Sequence, residues 1–422
     1  MRIAVIGSGI AGNVAASRLH REHEVSVFEA AGHIGGHTHT HAIDLAGERH
    51  PIDTGFIVFN DRTYPNFVSL LEQLGVACQP SSMSFSVRNE ASGLEYNGSS
   101  LNGLFTQRRN LARPSFLRML AEILRFNREA PRLLEAADET TLGDYLAAHR
   151  YSPRFVGDYL VPMGAAIWST DPARMLGFPA RFFVRFLHNH GMLSIDERPQ
   201  WRVIRGGSAR YVERLVAPFR HRIRLNTPVH QVRRAPGAVL VDGERFDKVF
   251  LACHADQALA MLADATPLER EVLGAFAFQE NEAVLHTDVS LLPRRRRAWA
   301  AWNYHVAAEA GERVALTYNM NILQGLFAKE TFCVTLNRTA RIRPERILKR
   351  MTYHHPVFTP QAVAAQARQR EVNGTRGAYY CGAYWRYGFH EDGVVSALAA
   401  VDHFDRDCHE QSRPVRAAGT RG

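Results

Sequence analysis

The stretch Arg2–Gly36, RIAVIGSGIAGNVAASRLHREHEVSVFEAAGHIGG, predicts the architecture of the chain. Its apolar run Ile3–Ile6 is short and β-branched enough to be a buried parallel strand. A glycine-rich turn, GSGIAG at Gly7–Gly12, follows at once and leads into a helical pattern. A second apolar run then ends at Glu29. Strand, glycine turn, helix, strand and terminal acid in this order are typical of a dinucleotide-binding βαβ unit.

The glycines of the turn and the terminal acid each have a physical role in such a unit. Gly7 allows the tight turn, Gly9 lets the backbone approach a pyrophosphate, and Gly12 lets the helix pack close to the strand. The amino terminus of the helix offers free N–H groups and the positive end of its dipole to the phosphates. Glu29 is placed to accept hydrogen bonds from both ribose hydroxyls, and it disfavours a 2′-phosphate. The motif therefore predicts NAD or FAD and argues against NADP.

The residues after the second strand resemble those of one group of flavoproteins. Glu29–Gly36, EAAGHIGG, is similar to the extension found in FAD-dependent amine oxidases, protoporphyrinogen oxidases and phytoene desaturases. In those families the backbone of the paired glycines, here Gly35 and Gly36, passes close to the FAD diphosphate. His37 stands where they usually have arginine. The segment Asp53–Gly55 resembles their D-x-G segment, which runs under the isoalloxazine ring.

Near the carboxyl terminus, a second segment resembles the flavin motif of the same families. Ala378–Ala383 is predicted to be a strand that enters a turn, and Gly393–Val401 is predicted to be a helix. In the relatives this helix directs its amino end at the flavin, and its dipole stabilises the anionic reduced ring. The resemblance implies that Glu391 or Asp392 caps the helix and that the amides of residues 393 and 394 face the ring.

The resemblance implies that the chain binds FAD, and the residues themselves predict that the flavin is not covalently attached. None of the five cysteines lies in an obvious flavin-attachment motif apart from Cys381. Ile223–Val232 is similar to the strand whose backbone contacts the adenine, which places Val229 at that contact. The residues that the resemblance assigns to FAD are Gly7, Ser8, Gly9, Ile10, Ala11, Gly12, Glu29, Ala30, Gly35, Gly36, His37, Thr54, Gly55, Val229, Gly382, Glu391, Asp392, Gly393 and Val394.

Three histidines at strand spacing, His37, His39 and His41, follow the paired glycines and are predicted to share one face. Such a face suits a metal site, and one of these histidines is a candidate for a covalent flavin bond. The alternative is a strand edge packed near the cofactor or solvent. We favour that alternative, and we expect no metal, because no acid or cysteine with ligand spacing accompanies the histidines.

The composition is that of an ordinary globular protein, with 46% hydrophobic and 22% charged residues. No apolar run approaches the roughly 20 residues needed to cross a bilayer. Met1 lies directly before the first strand, so cleavage of a signal peptide would destroy the motif, and we expect the protein in the cytoplasm. The five cysteines are scattered without a CxxC pair, which argues against a zinc site and a disulfide framework.

The net charge of +9 and the pI of about 9.5 favour an anionic partner. Nothing resembles a nucleic-acid-binding module, so we expect no nucleic acid. The charge fits either simple solubility or peripheral association with an anionic membrane, at its inner face. Ser115–Asn127, SFLRMLAEILRFN, is predicted to be either a core-facing helix with solvated arginines or a helix that rests on a bilayer. Arg294–Arg297 is a basic run predicted to be a solvated or phosphate-seeking loop. The sequence predicts no oligomeric state.

The chain is predicted to have an α/β fold (α+β overall), in which a Rossmann-type FAD-binding domain carries an inserted substrate domain of mixed sheet plus helices. Its 422 residues favour two domains over one core. We assign residues 1–77, 201–260 and 372–409 to the FAD-binding domain, and 78–200 and 261–371 to the substrate domain. Residues 410–422 lack apolar periodicity and are predicted to be disordered. Four substrate-domain strands are predicted at Ala283–His286, Trp299–His305, Val314–Met320 and Phe332–Asn337.

The resemblance implies an FAD-dependent oxidoreductase, an oxidase or desaturase that transfers a hydride from substrate to flavin N5. Its nearest likeness is to bacterial NAD/FAD-binding proteins commonly encoded beside cyclopropane-fatty-acid-synthase-like enzymes, which implies an acyl lipid or another hydrophobic substrate. The alternatives are an amine oxidase acting on a small amine or polyamine, and an FAD-binding partner subunit of a lipid-modifying complex with little activity of its own. Candidate pocket residues are Trp302, Tyr304, Trp385 and Tyr387, and no catalytic base is predicted.

Overall fold

The computed structural model describes residues 1–45, 47–135, 140–194, 198–307 and 313–411. Its strands are β1 (Arg2–Ile6), β2 (Glu24–Phe28), β3 (Thr40–Leu45), β4 (Glu48–Asp53), β5 (Phe59–Asn60), β6 (Cys78–Pro80), β7 (Phe85–Asn89), β8 (Leu94–Asn97), β9 (Trp201–Ile204), β10 (Ile223–Arg224), β11 (Val232–Ala235), β12 (Ala238–Val241), β13 (Glu244–Phe246), β14 (Lys248–Leu251), β15 (Ala277–His286), β16 (Trp302–Val306), β17 (Leu316–Asn319), β18 (Cys333–Leu336), β19 (Ile347–Val357) and β20 (Ala378–Tyr380). Its α-helices are α1 (Ile10–Leu19), α2 (Pro65–Gln73), α3 (Leu101–Leu104), α4 (Pro114–Glu129), α5 (Leu142–Ala148), α6 (Pro153–Phe155), α7 (Val161–Trp168), α8 (Pro172–Met175), α9 (Ala180–Asn189), α10 (Ala209–Val216), α11 (Ala255–Met261), α12 (Pro267–Gly274), α13 (Met320–Leu323), α14 (Pro360–Gln366), α15 (Gln369–Val372) and α16 (His390–Gln411).

Contacts within the chain divide it into two compact units. Unit 1 contains Met1–Gly36, Leu215–Gly274 and the described part of Ala365–Gly422, and unit 2 contains His37–Arg214 and Ala275–Ala364. The two units are therefore both discontinuous in sequence. Residues 37–77 and 201–214, which we assigned to the cofactor domain, group with unit 2 by contact. Residues 261–274 and 365–371, which we assigned to the substrate domain, group with unit 1. Which residues contact the cofactor and which contact the substrate stays a prediction.

Unit 1 is built on a five-stranded parallel sheet with strand order β10-β2-β1-β14-β20. β1 lies in the middle of this sheet, and its residues Ile3–Ile6 are at most 5% exposed. An apolar run suits this place because both faces of a central parallel strand are covered. β11, β12 and β13 form a separate antiparallel meander. The predicted Rossmann-type fold is confirmed.

Unit 2 is built on a seven-stranded sheet with strand order β19-β15-β18-β17-β16-β7-β8. The sheet is mixed, as predicted, because β7 and β16 run parallel whereas the other neighbours run antiparallel. The four predicted strands are present as β15 to β18, with shifted ends. The sequence did not predict β19, which at 11 residues is longer than any of them.

Helix boundaries required three corrections. The sequence pattern at Asp158–Trp168 predicts one substrate-domain helix, but the structure has a π-helical segment, Val156–Leu160, followed by α7. The last helix begins at His390 and not at Gly393. That helix also includes Glu410 and Gln411, which we had placed in a disordered tail, while residues 412–422 lie outside the described residues. Among the helices that the structure describes, none is long and apolar enough to span a bilayer.

A buried ion pair joins the meander of unit 1 to α12. The Arg234 guanidinium on β11 binds both carboxylate oxygens of Glu269, and the side chains of both residues are 0% exposed. The Tyr380 hydroxyl donates to the same carboxylate at 2.6 Å, and Asp264 also binds Arg234. Burial alone would raise the pKa of Glu269, but the bonds from Arg234 and the Thr266 amide outweigh it, so this pKa lies below its ordinary value.

Replacing Glu269 by glutamine should therefore destabilise the protein by about 3–5 kcal/mol, because the Arg234 charge would stay buried without its counter-charge. Glu244→Gln provides a matched control, since Glu244 pairs with Arg224 near the surface and such exposed pairs contribute about 0–1 kcal/mol. Urea unfolding of unit 1 followed by tryptophan and flavin fluorescence measures both. Equal loss of stability in the two variants would contradict the prediction.

Candidate cofactor site

The glycine turn between β1 and α1 is packed against backbone on two sides. Gly7 has φ +102°, and a Cβ there would lie 2.7 Å from the carbonyl oxygen of Ala252. A Cβ on Gly12 would lie 1.9 Å from the carbonyl oxygen of Gly7. No side chain fits in either place. The first turn of α1 therefore approaches the end of β1 as closely as the sequence predicted.

Gly9 and the paired glycines form an open backbone cradle next to this turn. A Cβ on Gly9 would meet nothing within 4 Å, so the space above it is open. Gly36 has φ +57°, and a Cβ there would lie 3.2 Å from Gly9 Cα. The Gly35 amide donates to the Ser8 carbonyl at 3.0 Å, which fixes the paired glycines beside the turn. The cradle fits a diphosphate, since bare backbone and the amino terminus of α1 both face it.

Glu29 lies at the end of β2 with its carboxylate directed at the same turn. It accepts hydrogen bonds from the Ser8 amide at 2.8 Å, the Ser8 hydroxyl at 2.6 Å and the Ala31 amide at 2.8 Å. The Thr227 amide donates to the Glu29 carbonyl at 2.8 Å. This bond brings the segment that contains half-buried Val229 to the end of β2, where the resemblance expects the adenosine.

The amino end of α16 packs on the amino end of α1. A Cβ on Gly393 would lie 2.6 Å from the Ile10 side chain and 3.8 Å from the Ala11 amide. Two helix amino termini therefore meet within unit 1, and their dipoles both favour a negative charge there. This arrangement suits the cofactor that the resemblance implies.

The predicted amides at this helix end need correction. The Gly393 amide donates to the Phe389 carbonyl at 3.1 Å, so it is used inside the helix. Val394, one residue further in, is also past the first turn. The first-turn amides are those of residues 390–392, before both predicted residues. Asp392 does cap the helix, because its carboxylate accepts the Phe389 amide at 2.9 Å. Burial raises the pKa of Asp392 to about 7.

The strand that leads into this region ends at two buried residues. Cys381 is 0% exposed and lies just beyond β20, and burial raises the pKa of its thiol. The Gly382 amide donates to the Ser396 hydroxyl at 2.8 Å, which ties the turn to α16. Trp385 is 3% exposed and Tyr387 is half-buried in the loop that follows.

In unit 2, the D-x-G segment packs on the histidine segment. A Cβ on Gly55 would lie 2.2 Å from the His37 carbonyl oxygen, which also accepts the Phe56 amide at 2.7 Å. The Thr54 amide donates to the His39 carbonyl at 3.1 Å. The two segments therefore run side by side, and the glycine allows them to touch.

The histidine rings pack against other rings. His39 and His41 have centroids 4.0 Å apart, as the strand spacing predicted. The His37 ring lies 5.1 Å from Tyr353 and 5.4 Å from His355, both on β19. Burial lowers the pKa of His355 to about 3, and the His37 imidazole adds to the effect. In the part of the chain that the structure describes, no three His, Cys, Asp or Glu residues are grouped to hold a metal.

A buried carboxylate connects distant segments of unit 2. Asp53 is 0% exposed and accepts hydrogen bonds from the Thr40 hydroxyl, from the Ser208 amide and hydroxyl at 2.9 and 2.8 Å, and from Gln324 Nε2 at 3.0 Å. The Asp53 amide in turn donates to Gln324 Oε1 at 3.0 Å. All of these donors are neutral, and burial raises the pKa of Asp53 to about 6. The carboxylate thereby holds the segment before Thr54 and Gly55.

The two candidate pocket residues of unit 2 lie on one face of its sheet. Trp302 and Tyr304 are two apart on β16, and Tyr318 on β17 pairs with Trp302 in an edge-to-face contact at 5.0 Å. Trp302 and Tyr318 are partly exposed, while Tyr304 is 3% exposed. Trp385 and Tyr387 belong to unit 1.

Sequence reasoning missed Tyr353, His355 and Gln324. The first two lie on β19, which was not predicted, and Tyr353 donates to or accepts from the Thr54 hydroxyl at 2.8 Å. Gln324 follows a short helix, and its bond to Asp53 spans 271 positions. An apolar–polar alternation from Met351 to His355 was a weak signal for the strand, but no local signal identified Gln324.

Comparisons with known proteins agree with this geometry. The model of a family described as flavin containing amine oxidoreductase matches residues 10–284, well over half of the chain. Among solved structures, cyclohexylamine oxidase from Brevibacterium oxydans is 16% identical with a TM-score of 0.69, and the match covers 96% of this chain and 99% of that one. Putrescine oxidase bound to putrescine is 15% identical with a TM-score of 0.67, covering 96% and 100%. A CLA-producing fatty acid isomerase from P. acnes is 16% identical with a TM-score of 0.66, covering 96% and 98%. No curated protein sequence matched the chain.

Replacing Gly9 by valine should abolish FAD retention without unfolding the protein. The side chain would enter the open space above the turn, where the diphosphate has to approach the backbone. Gly157→Val is the matched control, because a Cβ on Gly157 also meets nothing within 4 Å but lies in unit 2. Flavin released per protein on denaturation measures retention, and a yellow Gly9→Val protein would contradict the assignment.

Stability should depend on pH through Asp53. Because its folded pKa is raised from 3.8 to about 6, the folded state holds this proton more tightly than the unfolded chain. The resulting stabilisation is complete below the unfolded pKa and is lost as the pH rises through about 6. It amounts to on the order of 3 kcal/mol. The Asp53→Asn variant lacks this titration, so its stability relative to the wild type should improve between about pH 4 and 7. A constant difference in free energy of unfolding would contradict the prediction.

Proposed function

The chain belongs to the flavin-containing amine oxidoreductase family and is therefore an FAD-dependent oxidoreductase, and we propose that its substrate is a hydrophobic acyl lipid. In unit 1, the cradle at Gly9 and Gly36, the Glu29 carboxylate and the amino termini of α1 and α16 would hold the FAD. Bound FAD supplies a hydride acceptor at N5.

The observation that carries the proposal is the charge of one sheet face in unit 2. Directly paired residues of neighbouring strands share a face, so Trp302, Tyr318, Tyr304 and the β19 residues Tyr353 and His355 lie on the same one. Within the seven described strands, no aspartate or glutamate lies on this face. Its charged residue is Lys349, a cation. The strands of this face therefore offer an ammonium group no counter-charge. Two carboxylates reach the face from outside the strands, and both are engaged: Asp171 accepts Gln279 Nε2 at 2.9 Å and the Val314 amide at 3.1 Å, and Asp158 pairs with Arg154 at 3.2 Å.

The polar groups of the same face are neutral at pH 7. The pKa of His355 is lowered to about 3, and burial raises that of Tyr353 to about 12. Asn281 Nδ2 lies 3.0 Å from His355 Nδ1, and its amide also donates to the Ser169 carbonyl at 3.0 Å. These groups satisfy one another, and apart from Lys349 they leave a face that is aromatic and uncharged, which suits an apolar chain.

One donor on this face has no partner. The indole Nε1 of Trp302 is buried and makes no hydrogen bond within the described residues. An unmade bond at a buried donor is unfavourable, so a substrate with an acceptor oxygen would be favoured there. The carbonyl or carboxylate of an acyl lipid has such an oxygen, whereas an alkylammonium has none. We assign Trp302 the role of orienting the acyl head, with Tyr318 beside it as an apolar wall.

Two other functions compete with this one. Cyclohexylamine oxidase and putrescine oxidase share the fold, which keeps an amine as the alternative substrate. Their low identity to this chain supports the fold alone. A fatty acid isomerase shares the fold to a similar degree. The third reading, an FAD-binding subunit with little activity of its own, predicts no reduction by either class of substrate.

Anaerobic mixing of the holoprotein with candidate substrates distinguishes these readings. We expect fatty acids and phospholipids to bleach the oxidised flavin, and cyclohexylamine and putrescine to leave it unchanged, because the sheet face offers an ammonium no counter-charge. Bleaching by the amines alone would establish the amine reading, and bleaching by neither class would remove the acyl proposal. Mixing the reduced protein with oxygen then separates an oxidase, which reoxidises rapidly, from a desaturase.

The Trp302→Phe variant tests the assigned donor. It keeps an aromatic ring and removes the N–H, so the apparent affinity for the acyl substrate should fall by up to about tenfold. Trp299→Phe is the control, because the Trp299 indole already donates to the Pro293 carbonyl at 2.8 Å and should not contact substrate. An unchanged affinity in Trp302→Phe would disprove the role of the indole without affecting the choice of substrate class.

A further inference from the structure

The outer face of α4 exposes apolar side chains to solvent. The inner face of the helix buries Phe116, Met119 and Phe126 in unit 2. On the opposite side, Leu117 is 42% exposed and Leu124 is 55% exposed. These two residues are seven apart, so they lie on one face of the helix. The core-facing alternative predicted for this segment is therefore confirmed, and the helix also carries an apolar outer stripe. The alternative of a helix that rests on a bilayer stays a prediction.

The turn before the helix exposes another leucine. Leu111, in the 3-10 turn Arg108–Ala112, is 54% exposed, and Ala121 lies exposed between the two leucines of α4. We call Leu111, Leu117, Ala121 and Leu124 the outer stripe. Large apolar residues exposed in a group indicate a surface that binds a partner.

Arginines surround the outer stripe. The segment 108–129 contains six arginines, which are Arg108, Arg109, Arg113, Arg118, Arg125 and Arg128. It contains two acids, and the buried Glu122 carboxylate binds Arg118 at 3.1 Å and accepts the Ser152 amide at 3.2 Å. Glu129 lies 3.0 Å from Arg128. Because the arginines outnumber the acids, the surface around the leucines carries a net positive charge.

We propose that the outer stripe and its arginines dock the protein on an anionic lipid bilayer. An amphipathic helix with leucines on one side and basic residues around them lies in the membrane interface, with its apolar side chains among the acyl chains. The arginines attract anionic headgroups, each by about fivefold in affinity. This proposal does not depend on the substrate, because docking is a property of α4 whatever the enzyme oxidises.

Two other occupants fit the surface less well. A nucleic acid would satisfy the arginines but would not bury three leucines, since its exterior is charged. A second copy of the chain would bring two arginine-rich surfaces together, and like charges oppose such a contact. An anionic bilayer offers both the negative charge and the apolar interior.

The basic run Arg294–Arg297 is a second exposed element of unit 2. All four side chains are exposed, and the Glu95 carboxylate holds the amides of Arg294 and Arg295 at 2.9 and 3.2 Å. The run itself contains no leucine. We expect it to add long-range attraction that salt screens, whereas the outer stripe determines insertion.

Sedimentation of the holoprotein with vesicles tests the proposal. Vesicles of phosphatidylglycerol and phosphatidylcholine should bind the protein at low salt at least tenfold more tightly than vesicles of phosphatidylcholine alone. The double variant Leu117→Ser/Leu124→Ser should bind the anionic vesicles at least tenfold more weakly, although its net charge is unchanged. The triple variant Arg108→Gln/Arg109→Gln/Arg128→Gln should lose most binding, whereas Arg21→Gln/Arg233→Gln/Arg245→Gln, which removes the same charge from exposed positions in unit 1, should stay within about threefold of the wild type.

The outcomes are distinguishable because the substituted side chains are exposed, and thermal unfolding and flavin content confirm that each variant is folded. Equal binding of the leucine variant and the wild type would overturn the proposal, and so would equal binding to both kinds of vesicle. A wild-type dimer that the leucine variant dissociates, seen by light scattering, would identify a second copy as the occupant and would overturn it too. Anaerobic flavin reduction by soluble substrate remains a separate measurement, so failure of docking leaves the proposed function untouched.

Discussion

The close approach of α1 to the end of β1 is the constraint on which the cofactor half of the molecule depends. At Gly12 a single methyl group would lie inside the Gly7 carbonyl, so the helix can start where it does only with glycine at this position. The start of α1 determines where its free amides lie. α1 also provides the surface against which α16 packs at Gly393. α16 is in turn joined to the turn after β20 by the hydrogen bond from the Gly382 amide to the Ser396 hydroxyl. One steric condition thus governs the positions of three elements that a nucleotide would contact.

Buried carboxylates behave differently in the two units because their partners differ. Glu269 faces an arginine, and its pKa is lowered despite burial. Asp53 faces hydroxyl and amide donors, which favour the charged form too weakly to offset desolvation, and its pKa is raised. The arginine partner thus keeps Glu269 charged. The neutral partners leave Asp53 with a pKa near physiological pH, next to the segment that the flavin families place under their ring.

The sequence predicted features that are encoded locally. The βαβ unit has its strand, turn and acid within 36 residues, so the roles of Gly7 and Glu29 could be predicted from their spacing. β19 was missed because ILKRMTYHHPV mixes basic residues and a proline with its apolar positions. The start of α16 was misplaced because Asp392 looks like a capping residue before the helix, whereas it caps from the third helical position by reaching back to Phe389. The bond between Asp53 and Gln324 depends on tertiary packing, for which the local sequence carries no pattern.

Unit 1 is assembled from the two ends of the chain and a segment in its middle, and this order matters during synthesis. The amino-terminal helix α1 finds part of its packing surface only when α16 has been made, more than 370 positions later. Because synthesis proceeds at about 5–20 residues per second, the apolar surface of α1 that α16 covers stays exposed for roughly 20–70 seconds. The long inserted unit can fold on the ribosome in that interval. If the amino terminus of α16 contacts the flavin, we expect cofactor capture to follow the synthesis of that helix.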